Sequence, residues 1–138
     1  MGKNTELVDR HVNAFNDHDY DALGATLADD VTYSDIPGGT VSKGRAEVVE
    51  YAKGWHAGFS NARITEPQYF ESNGTVIFQF VGRGTQSAEF GPGPFPNNGG
   101  EFELRSIQVH TINDAGQITN VDLYYDTMTM LTQLGHMG

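Results

Sequence analysis

The feature that most constrains the fold is a change in hydrophobic periodicity near residue 60. Before this point, apolar residues recur at intervals of three and four, which is typical of amphipathic helices. After it, four segments alternate between apolar and polar residues, as strands with one buried face do. These segments are residues 63–71, 75–85, 101–113 and 117–126. Helices followed by a run of strands predict an α+β fold with a mostly antiparallel sheet.

The first part of the chain contains three predicted helices, at residues 5–17, 20–27 and 44–59. Asn4 or Thr5 is expected to cap the first helix and Asp19 the second, because these side chains accept hydrogen bonds from unpaired amides. A short strand is predicted between the second and third helices, at residues 31–35. A closing helix follows the last strand, and Asp126 is placed to cap it.

Turn sequences separate the strands. Asn73-Gly74 and the segment 114–116 predict tight hairpin turns. Residues 91–100 are rich in glycine and proline, which predicts a rigid loop and excludes a helix or a central strand. We expect one domain over residues 1–138, with a cone-shaped, curved sheet that is wrapped by the N-terminal helices and encloses a pocket. Such a pocket is suited to a small ligand.

Charge and composition narrow the possible partners. The chain has 18 acidic and 8 basic residues, for a net charge of −10, and this argues against nucleic acid or an anionic membrane as a partner. It has no cysteine, which excludes disulfides and thiolate sites. No apolar run approaches the length of about 18 residues that a membrane helix needs, and the N-terminus is polar. We therefore expect a cytoplasmic protein.

The sequence contains no familiar motif for a cofactor. The five histidines show no paired ligand spacing, so no metal site is expected. Phosphate-binding and dinucleotide-binding loops are missing from the sequence, as is the elbow of a serine hydrolase. No cofactor is therefore expected.

Four stretches of the sequence carry a resemblance to a known family. They are LVDRHVNAFNDHDYDAL, GRAEVVEYAKGWHAGFSNARI, QVHTINDAGQI and YYDTMTMLTQLG. In this order they resemble the SnoaL-like polyketide cyclases of the nuclear-transport-factor-2-like superfamily. The resemblance implies a cone-shaped fold, a homodimer formed back to back by the sheets, and ring closure of an enolisable ester without cofactor or metal.

The resemblance also implies particular site residues. Gln108 and His110 match the family's glutamine and histidine, Trp55 matches an aromatic residue on the third helix, and Tyr33 matches a polar pocket residue. The family's catalytic aspartate falls on Leu123, and a leucine cannot move a proton. A shift of register by one residue would turn Asp122 or Tyr124 inward instead. The anchor at the C-terminal end of the match favours Leu123 as the inward residue.

The remaining candidates follow from strand parity and from aromatic content. Asp35 lies two residues after Tyr33, so it is a possible replacement base, although aspartate at this position also suits the turn that follows. His56 is expected to face solvent or a partner subunit. Phe59, Phe80 and Tyr125 are expected to join Trp55 and Leu123 as walls of the pocket.

These residues lead to one function with two alternatives. The expected function is cofactor-independent acid–base chemistry on a hydrophobic, carbonyl-containing small molecule, with His110 as acid or base and Asp35 as auxiliary base. Gln108 and Tyr33 are expected to bind the carbonyl oxygen. The first alternative is a non-catalytic binding or interaction module, which the leucine at position 123 favours. The second is epoxide opening, for which Arg105 lies on the wrong strand face.

Overall fold

The computed structural model describes residues 2–91 and 94–137 of the chain. In chain order, the elements are α1 (Lys3–Asn16), α2 (Tyr20–Ala25), β1 (Leu27–Asp35), β2 (Thr40–Lys43), α3 (Arg45–Gly58), β3 (Arg63–Ser72), β4 (Thr75–Thr85), β5 (Glu101–Ile112), β6 (Ile118–Tyr124) and α4 (Thr127–Leu134). None of the helices in this part of the chain is both long and apolar enough to cross a membrane.

The six strands form one curled, unclosed sheet in the order β2-β1-β6-β5-β4-β3. All neighbouring strands are antiparallel except β1 and β6, which are parallel. The prediction of an α+β fold with a mostly antiparallel sheet is therefore confirmed. The pairing of β3 with β4 shifts register between Thr65 and Gln68, where Glu66 has a positive φ of 54°. An irregularity of this kind bends a strand and increases its twist.

The concave side of the sheet, called the inner face below, packs against α1 and α3. The main hydrophobic cluster joins Val8 and Val12 of α1 with Val48 of α3 and with Phe78 and Val121 of the sheet. A second cluster lies where α4 covers the sheet, and it contains Phe59, Phe102, Leu104, Met130 and Leu134. Between these two clusters the inner face also carries polar residues, and they belong to the candidate site.

Several predicted turns and caps are confirmed. Asn73 and Gly74 have φ values of 48° and 79° in the hairpin between β3 and β4. A two-residue turn with positive φ at both residues matches the twist of its strands. Asp19 accepts a hydrogen bond from the amide of Ala22, and Asp126 accepts one from the amide of Thr129.

Some element boundaries differ from the predictions. The second helix ends at Ala25, because the Thr26 hydroxyl donates to the carbonyl of Leu23 and Leu27 already begins β1. Strand β2 was missed, since its exposed residues carry no alternating pattern. Thr5 does not cap α1; its amide and hydroxyl both donate to Glu71. The predicted loop 91–100 includes residues 92–93, which lie outside the described residues.

Candidate ligand-binding cavity

A mainly apolar cavity lies between α1, α3 and the inner face of the sheet. Six of the nine residues predicted for the site line it: Tyr33, Trp55, Phe80, Gln108, Leu123 and Tyr125. The other three, His110, Asp35 and Phe59, lie behind the lining. Phe59 is buried in the second hydrophobic cluster against Phe90 and Phe102, so it is a core residue in this structure.

The size of the cavity limits what it can hold. Its volume is about 80 Å³. An apolar cavity of about 150 Å³ holds benzene, and sites for drug-sized ligands usually measure about 300 Å³ or more. In this conformation the cavity is smaller than one that holds benzene, so a ligand of about six or more heavy atoms requires lining side chains to move.

Two arginines mark the solvent side of the cavity. Arg63 is exposed and Arg83 is partly exposed, and both line it. The Arg83 guanidinium forms ion pairs of 2.6 Å with Glu66 and 2.8 Å with Glu103. Exposed ion pairs contribute little to stability. Arg83 Nε also donates to the Thr65 hydroxyl over 3.0 Å, so the guanidinium has three partners at this side of the cavity. Movement of this side chain outward would widen that side.

A chain of hydrogen bonds runs along the inner face from His110 to the cavity. His110 Nε2 lies 2.9 Å from Oε1 of Gln108, and Gln108 Nε2 donates to the Tyr33 hydroxyl over 2.9 Å. Because an amide oxygen only accepts, His110 carries its proton on Nε2. This contact fixes the orientation of the Gln108 amide. The Tyr33 oxygen accepts from Gln108, so its own hydrogen remains available for donation.

Burial keeps these groups in their neutral forms. Burial lowers the pKa of His110 well below its usual value, and the nearby His11 lowers it further. Burial also raises the pKa of Tyr33, with the charge of Asp35 as the next cause. Tyr33 is thus a hydroxyl donor at neutral pH, and His110 is an uncharged imidazole. His110 is fully buried, and its Nδ1 has no hydrogen-bond partner in the described part of the chain.

Asp35 holds two tyrosines of the cavity wall. Its Oδ2 accepts from the hydroxyls of Tyr51, at 2.7 Å, and Tyr125, at 3.2 Å, while Oδ1 accepts from the amide of Gly38. Trp55 Nε1 donates to the Tyr51 hydroxyl over 2.9 Å. The aspartate therefore serves the turn after β1 and also orients side chains that line the cavity. Burial raises the pKa of Tyr51 and of Tyr125, so both remain protonated donors.

The register of β6 places Leu123 on the inner face. Leu123 pairs with Gln108 on β5 and with Asp35 on β1, and its side chain is buried. Asp122 and Tyr124 lie on the opposite, outer face, and Tyr124 is 45% exposed. The alternative register, with Asp122 or Tyr124 inward, is therefore wrong. No carboxylate of β6 reaches the cavity.

The lining residues that were not predicted include two with polar ring groups. His11 on α1 and Tyr51 on α3 both line the cavity. His11 belongs to the same helical stripe as Leu7, Val8 and Val12, and this spacing was the available indication that it faces inward. Tyr51 lies one turn before Trp55, and that spacing likewise places the two side chains together.

The expectation for His56 was wrong, because this residue is buried and does not face solvent. Its Nε2 lies 3.1 Å from the carbonyl of Ala62, and its Nδ1 lies 2.6 Å from the Tyr20 hydroxyl. The ring stacks between Phe15 and His18. The two hydrogen bonds satisfy both ring nitrogens, which accounts for its burial. Arg105, considered for epoxide opening, is exposed and does not line the cavity.

The curled sheet with a cavity under its inner face defines the nuclear-transport-factor-2-like class of fold, to which ketosteroid-isomerase-like proteins also belong. The model of the SnoaL-like domain matches residues 8–121, and the chain belongs to this family. No curated protein matches the chain at a significant level.

Several solved structures are similar over nearly the whole chain. A proposed polyketide cyclase from Xanthomonas campestris pv. campestris is 26% identical, with 96% of each chain covered and a TM-score of 0.85. IdmH, a proposed polyketide cyclase from Streptomyces antibioticus, is 26% identical, with 97% of this chain and 99% of that chain covered and a TM-score of 0.81. A protein from Catenulispora acidiphila DSM 44928 with a ketosteroid-isomerase-like fold is 22% identical over 94% of this chain and 92% of that one, at a TM-score of 0.81, and shows the fold alone.

Proposed function

We propose that the protein binds a small hydrophobic carbonyl compound and promotes proton transfer at the carbon next to the carbonyl, without a cofactor. The observation that carries this proposal is the hydrogen-bond chain from His110 through Gln108 to Tyr33, which ends in an apolar cavity. Donors held in a fixed orientation in a site of low polarity stabilise negative charge more strongly than water does.

Tyr33 and Gln108 are the proposed donors to the carbonyl oxygen. The Tyr33 hydroxyl has a hydrogen to donate, and the Gln108 amide has a second hydrogen beyond the one given to Tyr33. When a proton leaves the neighbouring carbon, negative charge grows on the carbonyl oxygen. The two donors then bind the enolate more tightly than the ketone, and this difference lowers the barrier.

His110 and Asp35 are proposed as positioning residues. Neither lines the cavity, so neither contacts a ligand in this conformation. His110 holds the Gln108 amide with its NH₂ group toward Tyr33. Asp35 anchors the hydroxyls of Tyr51 and Tyr125, and the Tyr51 ring packs against that of Tyr33, with centroids 4.7 Å apart. This assignment replaces the direct acid–base roles expected from the sequence.

A non-catalytic binding protein is the alternative that a specific observation favours. Leu123 lies at the inward position where a carboxylate is expected in the related cyclases, and it contributes only an apolar surface. With this residue the cavity could hold a carbonyl ligand and leave it unchanged. The two functions differ in whether the α-hydrogens of a bound ligand exchange with solvent.

Proton NMR of small ligands in D₂O tests the proposal. We expect the protein to accelerate α-deuteration of ethyl acetoacetate above the buffer rate at neutral pH, and a Tyr124→Phe variant to behave like the wild type. Tyr124 is a matched control because it lies on the outer face. Saturable binding with deuteration at the buffer rate would instead establish the non-catalytic alternative.

We also propose a homodimer that forms through the outer face of the sheet. Phe70 and Ile77 are directly paired across β3 and β4, and they are 54% and 40% exposed. Val109 pairs with Ile77 on the next strand, which extends the apolar row. Exposed apolar patches on a sheet commonly mark an interface. Sedimentation of the protein as a 15.1 kDa monomer at micromolar concentration would contradict the dimer.

A further inference from the structure

His11 is a buried histidine on the cavity wall that the proposed function does not yet use. It projects from α1 and is 6% exposed. Its ring lies edge-on to the ring of His110, with centroids 5.8 Å apart. His110 in turn contacts Gln108, so one side chain separates His11 from the proposed oxygen-binding donors.

The hydrogen bonds around Thr26 fix the tautomer of His11. The Thr26 hydroxyl donates its single hydrogen to the carbonyl of Leu23, over 2.7 Å. His11 Nδ1 lies 2.8 Å from the same hydroxyl oxygen, which can therefore only accept from it. His11 thus carries its proton on Nδ1, and the lone pair of the ring lies on Nε2. Nε2 has no hydrogen-bond partner in the described ranges 2–91 and 94–137.

We propose that His11 Nε2 is the proton acceptor of this site, in the role that Leu123 cannot fill. This inference rests on the proposed function of the cavity. Thr26 is then a positioning residue, because its hydroxyl keeps the lone pair of His11 on the ring edge away from α2. The acceptor comes from α1 and the oxygen-binding donors come from the sheet, so a ligand between them contacts both.

The proposed step conserves atoms and charge. Nε2 takes the α-proton, the electrons of the C–H bond form the carbon–carbon double bond of an enolate, and the carbonyl oxygen takes the negative charge under Tyr33 and Gln108. The imidazolium returns a proton to carbon, or exchanges it with water at the solvent side of the cavity. Uptake of deuterium from D₂O therefore reports this step directly.

The environment of His11 also restricts the substrate class. Burial lowers the pKa of His11 to about 4, so the ring is neutral at pH 7 and is a weak base. A weak base removes a proton at a useful rate only when the carbon acid is itself activated. A hydrogen flanked by two carbonyl groups meets this condition far better than one next to a single ketone. Two adjacent donors, on Tyr33 and Gln108, also face one apolar cavity, so the site is best matched to a small 1,3-dicarbonyl compound.

The test compares α-deuteration of ethyl acetoacetate by the wild type, His11→Asn and His18→Asn at the same pH. Asparagine can still donate to Thr26 in place of Nδ1 but has no acceptor at the position of Nε2. We expect His11→Asn to lower the rate above buffer by about 10² to 10⁴-fold, the usual contribution of a general base. His18→Asn should be unchanged, since His18 lies outside the cavity and has a φ of 56°, which asparagine tolerates.

Nitrogen-15 NMR of the histidine rings gives an independent readout that does not depend on catalysis. We expect His11 as the Nδ1-protonated tautomer, and Thr26→Val to mix the two tautomers. A wild-type rate above buffer that His11→Asn retains would overturn the inference and leave the proposed function intact. Observation of His11 with its proton on Nε2 would overturn it equally. Absence of exchange by the wild type would remove the proposed function and the inference together.

Discussion

Acidification from pH 6.5 to 4 is expected to destabilise the fold by about 3 kcal/mol through His11 alone. Burial lowers the pKa of His11 from 6.5 to about 4, so the folded state stays unprotonated over this range while the unfolded chain binds a proton. Stability from this residue is complete above pH 6.5 and is lost as the pH falls toward 4. One proton bound only by the unfolded state corresponds to about 1.4 kcal/mol per pH unit.

Two further buried histidines are also expected to destabilise the fold on acidification. Burial lowers the pKa of His110, and burial with the nearby His18 lowers that of His56. Domains of this size are stable by about 5 to 15 kcal/mol in total, so we expect unfolding near pH 4. Urea denaturation at pH 7, 6, 5 and 4 measures the effect. A free energy of unfolding that stays constant between pH 6.5 and 4.5 would contradict the burial of neutral histidines.

Replacement of Tyr33 by phenylalanine is expected to slow α-deuteration of a bound carbonyl compound by about 10² to 10³-fold. The phenylalanine retains the ring that packs against Tyr51 but removes the hydroxyl that would donate to the enolate oxygen. Loss of this donor affects the transition state more than the bound ligand. The rate of the chemical step should therefore fall much more than the affinity for ligand.

The control for Tyr33→Phe is Tyr124→Phe, which removes a hydroxyl from the outer face. Tyr33→Phe also leaves the Gln108 amide without its partner, and an unpaired buried donor costs about 1 to 3 kcal/mol. Rates are therefore compared below the melting transition of the variant. A decrease of less than about threefold would show that Tyr33 does not bind the reacting oxygen.

The architecture could be predicted because the sequence shows both the three-to-four-residue repeat of helices and the two-residue repeat of strands. Alternation along residues 101–113 placed Gln108 and His110 on one face, whereas Leu123 was placed inward by the anchor at the C-terminal end of the family match and then by the parity of the strand. Both parity arguments follow from the strict two-residue repeat of a strand. Caps at Asp19 and Asp126 were also predictable, because capping depends on residues within one turn of the helix.

The parts of the site that were missed depend on contacts between distant segments. Strand parity could place Asp35 on the inner face. It could not predict the hydrogen bonds from Tyr51 and Tyr125, because these residues come from α3 and from the end of the sheet. His56 is buried because Tyr20 and Ala62 satisfy its two nitrogens, and no local pattern indicates that. The helical spacing of His11 indicates that it faces inward. Its tautomer could not be predicted, because it depends on the contact with Thr26.

The central claim is that Tyr33 polarises a carbonyl group in the cavity, and infrared difference spectroscopy tests it most directly. The carbonyl stretch of ¹³C-labelled cyclopentanone is recorded when bound to the wild type and to Tyr33→Phe. The structure predicts a stretch shifted to lower frequency than in an apolar solvent, with most of that shift lost in Tyr33→Phe. A bound ligand whose carbonyl frequency is the same in both proteins would contradict the claim.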